Sequence, residues 1–226
     1  MQAPPPKSAQ SVPAAVRASQ SDWSNWWEIP ARRNLVLGVV SGLLVVGAGA
    51  WFWKTSAARK EAFASQAVQQ ARVAAEQGNL PLAASELQKI TQTYGGTRSA
   101  VEAMLVLNQV RMVNGQTELA VVGLREFIAK NPPMEYRVPA YGLLGVALEN
   151  TKKPAEAAAA YLAAAAAAEV DFLKAQYLID AGRAWAQAGK PVEAEKAYRE
   201  IIANYPKTAA LTEAKVRLAE LTKGQP

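Results

Sequence analysis

At 226 residues the chain has room for one large domain or two small ones, half of its residues are hydrophobic, and its net charge is +6. It contains no cysteine and no histidine, which removes disulfides, thiolate chemistry and the commonest general base and metal ligand. Serine–histidine, cysteine–histidine and zinc-hydrolase schemes therefore have no residues to run on. From Lys54 onward the cations are scattered singly among Glu and Asp, so the positive balance reads as a solvated helical surface and not as a nucleic-acid face.

Residues 1–22 are rich in Pro, Ala, Ser and Gln with no apolar periodicity, a composition that predicts disorder. Trp23, Trp26 and Trp27 follow at spacings that place all three on one face of a short helix. They read either as an interfacial belt or as a docking peptide for a partner, and the apolar run just beyond favours the belt. That run, Leu35–Trp53 (LVLGVVSGLLVVGAGAWFW), holds 19 residues without a charge. As a helix it is about 28 Å long, the thickness of a bilayer's hydrocarbon core. Arg32, Arg33 and Lys54 flank it, and Trp51, Phe52 and Trp53 supply a second aromatic belt.

The boundaries are therefore a tail over 1–33 and one transmembrane helix over 34–53. A cleaved signal peptide is the rival reading, since Ala48-Gly49-Ala50 resembles a cleavage site, but a long leader precedes it and bulky aromatics follow. Gly38, Gly42 and Gly49 fall near one helix face and form a stripe that would let a second membrane helix approach closely. Glycine is also simply common in such helices. Arg17, Arg32 and Arg33 before the span nearly balance Lys54, Arg59, Lys60 and Arg72 after it, so charge sets no orientation.

From Lys54 to about Gln77 the chain reads as one continuous helix, and from there a pattern with a period of 37 residues takes over. Ala83, Ala120, Ala157 and Ala194 share one phase; Leu87, Leu124, Tyr161 and Tyr198 another; Ile90, Phe127, Ala164 and Ile201 a third. Gly78, Gly115, Lys152 and Gly189 march with them, as do Ala71, Asn108, Gly145 and Gly182. Self-similarity of this kind marks a solenoid of stacked supersecondary units. The expectation for 54–226 is an all-α array of about four repeats. Pro81 starts a helix after the first turn, Arg137-Val138-Pro139 opens the third unit, and Lys152-Lys153-Pro154 and Gly189-Lys190-Pro191 make the later turns. A last helix over about 209–222 caps the exposed end.

Within the last unit the order Leu178, Ala181, Gly182, Trp185, Gly189, Ala194, Tyr198, Ile201, Pro206 resembles the tetratricopeptide (TPR) fingerprint, and Tyr141, Leu144, Gly145, Leu148, Ala157, Tyr161 and Ala164 repeat it in the unit before. The period here exceeds the usual TPR length of about 34, so each junction is slightly longer. The resemblance implies a peptide- or helix-binding groove lined by the first helix of each unit. It points to Gln69, Arg72, Glu102, Gln109, Glu149, Asn150, Asp180, Arg183 and Gln187 as groove residues. That set is mixed in sign and amide-rich, without the Lys/Arg/Asn cluster of carboxylate-clamp TPR domains.

The order of elements from about Arg32 to the end resembles the YfgM-type ancillary subunit of the bacterial SecYEG translocon. Ala197–Pro206 is also similar to repeats in periplasmic TPR proteins of envelope assembly, among which the lipoproteins are disfavoured because the chain has no cysteine to carry a lipid. The resemblance implies an inner-membrane protein with a cytoplasmic tail and a periplasmic repeat domain. Its partners would be translocon components, periplasmic folding factors or envelope-assembly proteins. An accessory subunit of a stable membrane complex, held by its tryptophans and membrane helix, is the alternative. Gly95-Gly96-Thr97 lacks the lysine of a phosphate loop, and Glu193 and Glu195 point apart on their helix. No catalytic constellation, cofactor or metal is expected.

Overall fold

The computed structural model describes residues 30–223, and among these every regular element is an α-helix. They are α1 (Pro30–Glu76), α2 (Leu80–Thr93), α3 (Arg98–Val113), α4 (Thr117–Ala129), α5 (Met134–Asn150), α6 (Pro154–Ala167), α7 (Asp171–Gln187), α8 (Pro191–Asn204) and α9 (Ala210–Thr222). The chain divides into two units, Met1–Ser56 and Ala57–Pro226. In the first, the described residues belong to α1, and its large apolar side chains from Leu37 to Trp53 are exposed. In the second, six helices pair as the hairpins α3–α4, α5–α6 and α7–α8, preceded by the end of α1 with α2 and followed by α9.

Local chemistry sets the helix ends. Asn79 Oδ1 accepts from the Leu82 amide at 3.3 Å and Thr97 Oγ1 from the Ala100 amide at 3.1 Å, each relieving an orphan donor in a first turn. Pro154 and Pro191 open α6 and α8, where a missing N–H costs nothing. The turn position shared by all four units has a left-handed backbone: φ is +82° at Gly78, +76° at Gly115, +70° at Gly189, and +59° at Lys152, the one place where a side chain stands in for glycine. The third unit departs from the sequence expectation. It opens at Met134, before the Arg137-Val138-Pro139 triplet, and Pro139 lies inside α5. The earlier turn is held by the Tyr136 amide on the Pro133 carbonyl at 2.9 Å and by Arg137 Nε on the Pro132 carbonyl at 2.8 Å. Pro139 therefore forfeits one ladder bond without ending the helix.

The hairpins close around a recurring crossing. Ala83, Ala120, Ala157 and Ala194 are all fully buried in the second helices. On the first helices, a Cβ built on Gly145 or Gly182 would run into the ring of Tyr161 or Tyr198 respectively. Unit one meets the same geometry with Ala71 and Leu87 in one core. Unit two meets it with a buried polar residue: Asn108 donates to the Met104 carbonyl at 2.9 Å and accepts from Arg111 at 3.2 Å. There the compensating gap is Gly123, where a Cβ would lie 2.5 Å from Asn108 Oδ1. Neighbouring units lock through Tyr161 and Tyr177, stacked with centroids 6.5 Å apart.

Both ends of the stack are closed in the same register. Ala214 of α9 is fully buried like Ala140 and Ala103, two and three repeats earlier in its phase, and Leu218 and Leu221 pack beside it, so α9 is the first helix of a fifth unit. At the other end, the positions that bury Leu107, Val110 and Gly123 in unit two carry Gln70, Val73 and Glu86 in unit one, all exposed. Gln70 and Glu86 there help the terminal face meet water, although Val73 beside them is apolar.

Two outcomes test this reading. Gly182→Ala should cost about 1–3 kcal/mol by overpacking. Adding Tyr198→Leu, which recreates the Ala71/Leu87 pair, should recover at least about 1 kcal/mol relative to the sum of the single changes, measured by urea unfolding. Lys152→Gly should raise stability by about 0.5–1 kcal/mol, since it removes left-handed strain at a small entropic cost.

Candidate partner-binding face

The period places residues of successive first helices in rows. Arg72, Gln109, Val146, Arg183 and Glu220 form one row, and Glu76, Val113, Asn150 and Gln187 the next. Two ion-pair clusters bridge neighbouring first helices across this face. Arg72 of α1 pairs with Glu102 of α3. Farther along, Arg183 of α7 pairs with Glu149 of α5 at 2.7 Å and with Asp180 on its own helix at 3.1 Å, while the Tyr161 hydroxyl donates to Glu149 at 2.7 Å. Of the residues expected in the groove, Arg72, Glu102, Glu149, Asp180 and Arg183 are thus joined to one another. Gln69, Gln109, Asn150 and Gln187 are exposed and uncharged.

The second cluster is partly sheltered, with the Glu149 side chain 16% exposed. Burial, reinforced by Glu149, lifts the Asp180 carboxyl above the ordinary range against the pull of Arg183. Burial, with Glu149 accepting its proton, likewise pushes the Tyr161 phenol up. Burial works against the Arg183 charge, but Asp180 and Glu149 outweigh it and hold the guanidinium firmly protonated. Arg183 is therefore a strut between units, and Arg183→Glu would set three carboxylates against each other instead of simply removing a ligand contact. Two clefts flank the clusters three repeats apart. One, of about 320 Å³, lies among Arg72, Glu76, Gln109 and Val113. The other, of about 580 Å³, lies among Arg183, Gln187, Arg217 and Glu220. Among the described residues no group of acidic side chains is placed to hold a metal.

A family model described as "Tetratricopeptide repeat-like domain" matches residues 24–223. The chain belongs to this family. Solved structures share the fold. MamA is similar over 74% of this chain and 83% of its own, with 19% identity and a TM-score of 0.56. The nearly identical TPR-like repeats of a Podosopora anserina kinesin light chain align over 70% of this chain and 85% of theirs, with 18% identity and a TM-score of 0.57. A tetratricopeptide repeat protein from Parabacteroides merdae aligns over 71% of this chain and 60% of its own, with 11% identity and a TM-score of 0.57. No curated protein sequence matches the chain. A TPR-like array of this kind is a protein-interaction scaffold.

Sequence reasoning missed one residue that shapes the TPR-like array. Glu61 of α1 accepts from the amides of Arg98 at 2.8 Å and Ser99 at 2.9 Å and from the Ser99 hydroxyl at 2.5 Å, so a side chain from the first repeat caps the first helix of the second repeat. Arg98 in turn lies 3.6 Å from Glu135. The signal was present, since Glu61, Arg98 and Glu135 alternate in charge at the repeat spacing. In the apolar part of α1, Gly38, Gly42 and Gly49 have open space where a Cβ would be, and Trp51 and Trp53 are exposed. Trp23, Trp26 and Trp27 lie outside the described residues. One helix among those described is long and apolar enough to cross a membrane.

Glu61→Gln should cost about 1 kcal/mol at neutral pH. Burial opposes the Glu61 charge, but the bonds from Ser99 and Arg98 outweigh it and hold the carboxyl below the ordinary glutamate value. Stability from a lowered carboxyl is complete above its ordinary value and is lost as pH falls through the lowered one. The unfolding curves of the parent and Glu61→Gln proteins should therefore converge on acidification below about pH 4.

Proposed function

We propose that this is a non-enzymatic, membrane-anchored TPR-like scaffold that binds protein partners at the periplasmic face of a bacterial inner membrane, assisting translocon-linked secretion or envelope-protein folding. The observation that carries this reading is the single family match over residues 24–223, which takes in the apolar helix and the repeats together. Support comes from the apolar stretch of α1, which has no protein cover, unlike the core helix of a soluble protein. The order of elements, resembling the YfgM-type translocon subunit, supplies the orientation and the class of partner. In this reading residues 1–33 form the cytoplasmic tail, 34–53 the anchor and 54–226 the partner-binding domain.

A second reading makes the chain an accessory subunit of a stable membrane complex. Its support is the open face of Gly38, Gly42 and Gly49, against which another helix could pack closely. Affinity recovery of the intact protein in mild detergent, beside a version carrying an unrelated membrane helix, separates the two. If translocon or periplasmic folding components follow both versions, the repeats carry recognition and the scaffold reading stands. Recovery of a stoichiometric membrane complex with the native helix alone would reject it in favour of the second reading.

A further inference from the structure

The ionic structure of the helix face says what chemistry it can accept. Every arginine on it is already engaged: Arg72 with Glu102, Arg183 with Glu149 and Asp180, and Arg217 of α9 with Glu213 and Glu220. A ligand carboxylate reaching any of them would compete with a carboxylate of the protein for the same guanidinium and set a second negative charge beside it. Cations face no such competition. Glu76 has no ion-pair partner among the described residues, and Glu102 and Glu220 keep about two-fifths or more of their side chains open to solvent. On this face carboxylates (Glu76, Glu102, Glu149, Asp180, Glu213, Glu220) outnumber arginines (Arg72, Arg183, Arg217), although the whole chain carries +6.

Between the two charged ends these rows carry no charge in the second and third units, where two valines alternate with the amides Gln109 and Asn150. Where Arg72 and Arg183 stand in units one and four, the third unit has Val146, 40% exposed; where Glu76 and Gln187 stand, the second has Val113, 74% exposed. Neither valine serves the core, and both lie on the face that the scaffold reading assigns to a partner. Charge at the ends with apolar surface between them is complementary to one kind of polypeptide.

We propose that this face selects a polypeptide segment with an apolar centre and cationic side chains at its ends, Val113 and Val146 meeting the centre and Glu76, Glu102 and Glu220 the cations. The inference rests on the scaffold reading and adds the chemistry of the partner. Five first helices at about 8–10 Å spacing call for an extended segment of about twelve residues.

The test uses the full-length protein in detergent micelles and three fluorescent peptides of about that length. One has a Leu/Val centre with lysines at both ends, the second the same centre with glutamates, the third lysine ends around a serine centre. Anisotropy should show the first binding at least about tenfold tighter than the others. Val113→Asp with Val146→Asp should erase that advantage, and Glu76→Lys with Glu220→Lys should transfer it to the glutamate-ended peptide. All four positions are exposed, so an unchanged circular dichroism melt separates loss of binding from loss of fold. Equal binding of lysine- and glutamate-ended peptides, or no peptide binding, overturns the inference. Partner recovery from cells with the same valine variants tells the two claims apart. If partners are lost while the peptides show no preference for their ends, the charge inference fails and the scaffold reading survives. If partner recovery ignores the valines, both fall.

Discussion

Two helices can lie close enough to share a core only where one of them gives up a side chain, and this fold depends on meeting that condition once per hairpin. Tyr161 and Tyr198 occupy the space vacated at Gly145 and Gly182. Both tyrosines are buried, and each sits among the alanines and leucines that join its hairpin to the next. Core packing at organic-crystal density leaves no slack for an added methyl at such a point. The crossing is constrained in size but not in composition. Ala71 with Leu87 and Asn108 with Gly123 satisfy it with other partners, and Asn108 can be polar because its amide nitrogen and oxygen each have a partner.

This explains what could be read in the amino-acid sequence. Period, helix order, turn positions and the closing helix follow from small and apolar residues recurring at a fixed interval, and such residues report packing wherever they stand. Lys152 was legible as a turn residue only because its phase contained glycines. Pro139 misled because a proline's local preference was overridden by hydrogen bonds in the preceding turn. The candidate face was legible in position but not in state. Which helix face Arg183 occupies follows from periodicity; that it is held by Glu149 and Asp180 depends on side-chain reach across two units, for which no single spacing is diagnostic.

Glu61 shows the same limit from another direction. A glutamate in a long helix near a run of Lys and Arg looks like an ordinary solvated charge. Its role depends on α1 continuing past the apolar stretch far enough to bring that carboxylate to the open amides at Arg98 and Ser99. The cap therefore ties the first hairpin to the second through charge and hydrogen bonding as well as through the apolar core around Val68, Leu87 and Leu107.

The closing helix α9 keeps the phase of the helices before it, with Ala214 in the place of Ala103 and Ala140. The helix is thus built to the same packing rule as the first helices of the hairpins before it. Modules could be inserted or excised between Gly78 and Gly189 in whole periods, and both the water-facing first hairpin and α9 would still find the neighbours they require. Length is thus a free variable of the architecture, adjustable by gene-level copying without redesign of either end.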